Sequence, residues 1–144
     1  MVQSESALFA RILRDTRNVA VVGLSPNPTR PSYGVARFLQ SLGWRIVPVN
    51  PGHAGETILG ETAVASLADI PDPGAIDMID IFRRSDAAGA VVEEALATLP
   101  NLRTVWMQLG VTAPQAAELA RARGVDVVQD RCPAIEFPRL LAAR

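Results

Sequence analysis

The apolar positions of this chain fall into short continuous runs separated by stripes of helical period. Val19-Ala-Val-Val22 is unbroken and mostly β-branched, as expected of a strand covered on both faces. Four more runs read the same way: Arg45-Ile-Val-Pro-Val-Asn50, Ala75-Ile-Asp-Met-Ile-Asp-Ile-Phe82, Arg103-Thr-Val-Trp-Met-Gln108 and Val125-Asp-Val-Val-Gln129. Between them lie amphipathic stretches. Residues 4–15 carry Leu8, Phe9, Ile12 and Leu13 on one side and Arg11, Arg14 and Asp15 elsewhere. A helix over 33–42 follows, with Ser32 as its N-cap, and Leu42-Gly43 stops it. Ser85 caps the next, with Asp86 in its first turn and Pro100-Asn101 at its end. Thr112 and Pro114 open another, which Gly124 stops. A last helix over 134–143 is interrupted by Pro138. Between the second and third runs there is no such helix. That stretch reads as a loop over 50–55, an extended piece over 58–61 and a helical turn over 66–69.

Strands alternating with helices predict an α/β fold with a doubly wound, parallel five-stranded sheet and helices on both faces. The expected strand order is 3-2-1-4-5, with the reversal between strands 1 and 4. Ligands of such sheets sit beyond the C-terminal strand ends at the reversal. The residues to search are therefore those just after each strand. A length of 144 residues predicts one domain over 1–144, with the helix in 1–15 packing on it.

Composition narrows the choice of ligand and chemistry. Hydrophobic residues make up 49% and charged residues 20%, a globular balance, and the net charge of −1 gives no general attraction to nucleic acid or anionic membrane. Every basic residue is arginine, so Schiff-base and P-loop lysine chemistry are excluded. The single cysteine, Cys132, leaves no internal disulfide. No basic, apolar leader opens the chain, and no apolar stretch reaches the roughly 18 residues of a membrane span. The expected location is cytoplasmic. His53 and the scattered carboxylates show neither metal-ligand spacing nor a nucleophile–base pairing, so no catalytic set and no metal site emerge. Asp77 and Asp80, together with Glu93 and Glu94, read as solvated or capping groups.

The loop after the first strand, Gly23-Leu-Ser-Pro-Asn-Pro-Thr-Arg-Pro-Ser32, ends in a helix start that offers free N–H groups to an anion. The nicotinamide dinucleotide fingerprint fails here. Ser25 and Pro28 stand where the second and third glycines should be, and strand two ends in Asn50 rather than an acid. Asn50 does not repel a ribose phosphate, and Arg30 can pair with one. A diphosphate carrying a phosphorylated ribose suits these residues better.

Six motifs in order then carry a resemblance: residues 19–33 around Gly23-Leu-Ser-Pro-Asn-Pro-Thr-Arg, Ile46-Val-Pro-Val-Asn-Pro51, Ile58-Leu-Gly-Glu61, Asp80-Ile-Phe-Arg-Arg-Ser85, Val105-Trp-Met-Gln-Leu-Gly110 and Asp130-Arg-Cys-Pro-Ala-Ile-Glu136. Together they resemble the small stand-alone CoA-binding proteins. The chain is similar, over about 15–140, to the nucleotide-binding domain of the succinyl-CoA synthetase alpha subunit and of ADP-forming acyl-CoA synthetases. The resemblance implies a Rossmann-like fold that binds coenzyme A. The synthetases carry their phosphorylated histidine in a further domain not found here, so it implies binding and not ligase activity.

The expected cofactor-binding residues follow from strand-end position: Gly23, Ser25, Arg30 and Ser32 at the phosphates, with Ser32 serving mainly as a cap. Tyr33 packs either on the ligand or in the core. Asn50 and Pro51 border the adenosine end or form an ordinary Asx-Pro-Gly turn. Phe82 covers the adenine or the pantetheine, with Arg83 beside phosphate. Gln108 and Gly110 run along the pantetheine arm, and Trp106 belongs to the core. Cys132 lies on the ligand side as an inert buried thiol, or as one able to form a mixed disulfide with CoA. The expected function is that of a non-catalytic CoA or acyl-CoA sensor or carrier. Its rivals are a CoA-dependent component of a ligase or transferase and an NAD(H)-binding regulatory domain. No nucleic-acid or membrane partner is expected, and a homodimer or an unidentified protein partner stays open.

Overall fold

The computed structural model describes residues 4–142, so residues 1–3 of the N-terminal segment and 143 of the last expected helix lie outside it. In chain order the elements are α1 (Glu5–Asp15), β1 (Asn18–Val22), α2 (Pro31–Ser41), β2 (Arg45–Val49), β3 (Thr57–Ile58), β4 (Glu61–Thr62), β5 (Met78–Ile81), α3 (Ser85–Thr98), β6 (Thr104–Met107), α4 (Pro114–Ala122), β7 (Asp126–Val128) and α5 (Pro133–Ala142). Single 3-10 turns at Pro51–His53, Leu67–Asp69 and Pro73–Ala75 fill the long connection from β2 to β5. The third strand is thus shorter than its apolar run, because Pro73 turns the chain over the first of those residues. Among the described residues no helix is long and apolar enough to cross a membrane.

Five strands form one parallel sheet in the order β2-β1-β5-β6-β7. This is the doubly wound α/β sheet expected, but the order differs from 3-2-1-4-5: the third main strand, β5, lies beside β1 and not outside β2. The reason is the edge of β2. Its Pro48 has no N–H for a second ladder, and its outer side is taken by the chain after β4. Val64 N–H donates to Pro48 O at 3.0 Å and Asn50 N–H to Val64 O at 2.8 Å. The β3–β4 hairpin turns through Leu59 at φ 52° and Gly60 at φ 84°, the two positive angles of a tight hairpin turn. With that edge closed, the chain crosses the sheet and enters on the far side of β1. The reversal of strand order therefore falls between β1 and β5.

The strands are buried almost throughout, and their alternation divides the core in two. One layer holds Ala20, Val22, Ile79, Ile81, Val105 and Met107 under α3 and α4, with Leu67 and Ile70 from the crossing connection. The other holds Val19, Val21, Ile46, Met78 and Trp106 under α1, α2 and α5. In that second layer Trp106 stacks edge-on against Phe137 at 5.4 Å and tilts against Phe9 at 5.2 Å, while Phe137 meets Trp44 at 5.8 Å. The Trp106 indole N–H donates to Arg131 O at 2.8 Å, so its one polar atom is satisfied. Trp106 is core, as expected. The contact also explains why α1 docks: Phe9 and Ile12, its two buried residues, complete this aromatic layer. Ser4 caps α1 by accepting from Ala7 N–H. Pro138 sits inside a continuous α5 and does not interrupt it.

Phe137 is fully buried at the centre of the aromatic layer. Phe137→Ala is expected to lower stability by about 3–5 kcal/mol, read as a lower urea midpoint at unchanged m-value.

Candidate ligand cleft at the strand ends

At the reversal the backbone is drawn unusually tight. Gly23 N–H donates to Val49 O at 2.7 Å and Phe82 N–H to Val22 O at 2.8 Å, so three strand ends meet there. Gly23 has φ 91°, and a Cβ on it would run into the Phe82 carbonyl oxygen. Only glycine fits. Beyond it the loop is tied to itself. Ser25 N–H donates to Ser32 Oγ at 3.0 Å, Asn27 N–H to Ser25 Oγ at 3.1 Å, and Thr29 N–H to Asn27 Oδ1 at 3.0 Å. Asn50 braces the same loop from β2. Its Nδ2 donates to Leu24 O at 3.0 Å, and its Oδ1 accepts from Gly52 N–H at 3.0 Å.

This loop delivers the N-terminus of α2. The helix begins one residue pair earlier than expected, at Pro31, because proline supplies the helical φ and needs no N–H partner at that position. Ser32 is therefore not the cap. It is a buried first-turn residue whose hydroxyl holds Ser25. The capping position belongs to Arg30, whose side chain makes no cap bond, and no acidic side chain stands in the first turn. The positive end of α2 is thus left electrostatically open.

Around it lies a cavity of about 360 Å³ lined by Gly23, Ser25, Arg30, Pro31, Ser32, Asn50, His53 and Phe82. Six of the residues singled out from the sequence come together here. His53, which the sequence offered only as an unmatched loop histidine, joins them because the Pro51–His53 turn folds back toward Asn50; its Nδ1 lies 2.7 Å from Glu56 Oε2. Its signal was position after a strand, not residue type. A larger groove of about 670 Å³ runs between α3 and α4, but Asp86 and Glu93 stand on its walls, which opposes an anion. The smaller cavity has Arg30 and an open helix end on its wall and no acidic residue among its lining residues.

Five expected residues do not line the cavity. Pro51 is exposed in the turn that Asn50 caps, so here the Asx-turn reading accounts for it. Arg83 is half-buried beside Phe82 and makes no ion pair among the described residues, whereas Arg84 pairs with Asp86 at 2.7 Å. Gly110 stands at φ 80° in the loop after β6 and donates to Asp130 Oδ1 at 2.7 Å; Asp130 itself sits at φ 57°. Ser85 joins the same clasp by donating to Gly110 O and accepting from Thr112 N–H, so it braces a loop rather than capping α3. Gln108 is buried at the end of β6 with Oε1 unpartnered. Cys132 is 5% exposed, packed in the second core layer, and its carbonyl starts α5. Tyr33 is half-buried against that layer.

The two aspartates of the third run part company. Asp77 Oδ2 accepts from Arg17 N–H at 2.8 Å and Asn18 N–H at 2.9 Å, a bracing role in line with the capping reading. Asp80 is fully buried, and neither carboxylate oxygen has a partner. The expectation of a solvated or capping group fails there because Asp80 lies in the middle of a central strand, covered by helices on its face. Burial without a compensating donor pushes its carboxyl well above the usual aspartate range.

Residues 17–138 match the CoA binding domain family, and the chain belongs to it. It is 36% identical over 132 residues to the protein YneT of Bacillus subtilis (strain 168), covering 92% of this chain and 93% of that one. Among solved structures it is similar to the cell-free ID.343 protein from Thermus thermophilus, with 35% identity, a TM-score of 0.85 and coverage of 95% and 99% of the two chains. A hypothetical protein from Pyrococcus horikoshii OT3 is likewise similar, with 30% identity, a TM-score of 0.85 and coverage of 98% and 99%.

Two outcomes follow from this geometry. Gly23→Ala is expected to cost more than about 2 kcal/mol, since a positive φ and a carbonyl overlap both oppose the methyl; equilibrium unfolding measures it. Asp80 holds its proton in the folded state at pH values where the unfolded chain has lost it. Stability therefore falls as pH rises from the ordinary aspartate pKa toward the raised one. The melting temperature of Asp80→Asn minus that of the wild type is expected to increase from about pH 4 to neutral pH.

Proposed function

We propose that the strand-end cavity binds coenzyme A or an acyl-CoA, and that the protein serves as a non-catalytic CoA-responsive sensor or carrier. Membership in the CoA binding domain family supports the ligand class. The observation that carries the site is the open N-terminus of α2, with the Gly23 backbone on one side and Arg30 on the other. Backbone N–H groups and a helix dipole favour a diphosphate, and the guanidinium fork suits the phosphate on the ribose. The cavity is too small for a whole coenzyme, so the diphosphate and ribose occupy it while the pantetheine arm runs over the ends of β5 and β6. Arg83 stands ready at that rim.

The nicotinamide alternative lacks its ribose anchor. Asn50 carries no charge, and both ends of its side chain are already engaged in bracing the loop. In the sensor or carrier reading the cavity holds the coenzyme without reacting with it: His53 faces Glu56, and Cys132 is buried away from the lining.

Thermal shift and calorimetry with CoA, dephospho-CoA and NAD test the reading. CoA is expected to raise the melting temperature most, by mass action, dephospho-CoA less, and NAD not at all. Arg30→Ala is expected to bring CoA down to the level of dephospho-CoA, a loss of about tenfold in affinity. Stabilisation by NAD without stabilisation by CoA refutes the reading.

A further inference from the structure

Among the described residues, three buried side-chain polar atoms have no hydrogen-bond partner: both carboxylate oxygens of Asp80, and Oε1 of Gln108. They stand on adjoining strands. Asp80 lies opposite Trp106 in the β5–β6 ladder, and Gln108 comes two residues beyond Trp106, its own N–H donating to Ile81 O at 3.2 Å. The period of two places Asp80, Phe82, Trp106 and Gln108 on the same face of the sheet, the face of the second core layer. Phe82, two residues beyond Asp80, lines the cavity at the reversal. Asp80 is therefore one pleat beneath Phe82 on the wall of the cleft, and Gln108, one pleat above Asp80 on the next strand, is level with Phe82.

Other buried side-chain hydroxyls are engaged: Thr16 donates to Ile12 O, and Ser32 accepts from Ser25 N–H. Leaving a buried polar group unpaired is costly, and native structures leave few. That all three unmet atoms gather beside the cleft points to a group that arrives from outside. The chemistry of the pair narrows what it is. Gln108 Oε1 accepts a hydrogen bond. A carboxyl in an apolar layer holds its proton and can donate one while accepting another. A secondary amide offers the matching set, one N–H and one C=O.

We propose that Asp80 and Gln108 form an inner subsite that takes a secondary amide of the ligand's pantetheine arm. This rests on the coenzyme A reading above and assigns the part of the ligand that the α2 end does not reach. Entry requires a rotamer change of Phe82 or Gln108, both on the strand-end side of Asp80.

Adenosine 3′,5′-bisphosphate carries the ribose phosphate of coenzyme A without the pantetheine arm, so the pair of ligands separates the two subsites. Calorimetry with both is run on the wild type, Asp80→Leu and Gln108→Met, with melting curves to confirm folding. Asp80→Leu removes a buried acid and Gln108→Met conserves volume at the rim, so the second remains informative if the first does not fold. Each folded variant is expected to lose about tenfold or more in affinity for CoA and to keep its affinity for the bisphosphate within about twofold. Unchanged CoA affinity in the folded variants, or equal loss of both ligands, overturns the subsite while leaving the coenzyme A reading intact. If the wild type binds neither ligand, the coenzyme A reading has failed and the subsite falls with it.

Discussion

Gly23 has no side chain, and the backbone of Phe82 occupies the space where one would be. That contact brings the ends of β1 and β5 together at the point where the chain's path across the sheet reverses, and the bond from Gly23 N–H to Val49 O adds β2 to the same knot. The consequences run outward from there. The loop leaving Gly23 is short and self-tied, so α2 begins in a fixed direction with its first turn facing the gap. The gap exists because the connections from β1 and β5 leave toward opposite faces of the sheet. A binding cleft of this kind is a by-product of topology; the residues then decide what it admits.

Polar residues near the cleft divide into those spent on bracing and those left unspent. Ser25, Ser32, Asn27, Asn50, Asp130 and Ser85 hold loops through bonds to backbone groups. They make the strand ends rigid, although the Ser25 and Ser32 hydroxyls, which only accept in these bonds, keep their O–H donors. Arg30, Asp80 and the Gln108 carbonyl carry no such obligation. A rigid frame with a few uncommitted groups is what preorganised recognition requires, and it concentrates the energetic cost of the site in one buried acid.

Much of this was legible in the chain itself. β-Branched runs separated by helical stripes led to a doubly wound sheet, and strand-end position found six of the residues that line the cavity. Strand order was not found, although the signal was present: Pro48 marks β2 as an edge strand, which forbids the order 3-2-1-4-5. The helix start was misplaced for a related reason. Ser32 has the chemistry of a cap, but Pro31 before it already has the conformation of a first helical residue. Asp80 could not have been singled out by spacing. It and Asp77 look alike in a strand-like run, and one ends at the sheet margin while the other is roofed by α1, α2 and α5. Their spacing of three sets them on opposite faces of a strand, but burial is a property of the assembled layers, and the spacing does not tell which face is sealed.

Pro48 has a consequence beyond the order of strands. An open sheet presents two margins of unused backbone groups, which invite a strand from another molecule. On one side, Pro48 lacks an N–H and Val64 bridges Pro48 O and Asn50 N–H, so the end of β2 toward the cleft is closed. On the other, β7 is only three residues long, and its Asp126 is gripped by Arg11 from α1. The same features that fix the topology are thus the devices that blunt open sheet edges: a proline and a bridging segment on β2, and a short, charge-bearing strand at β7.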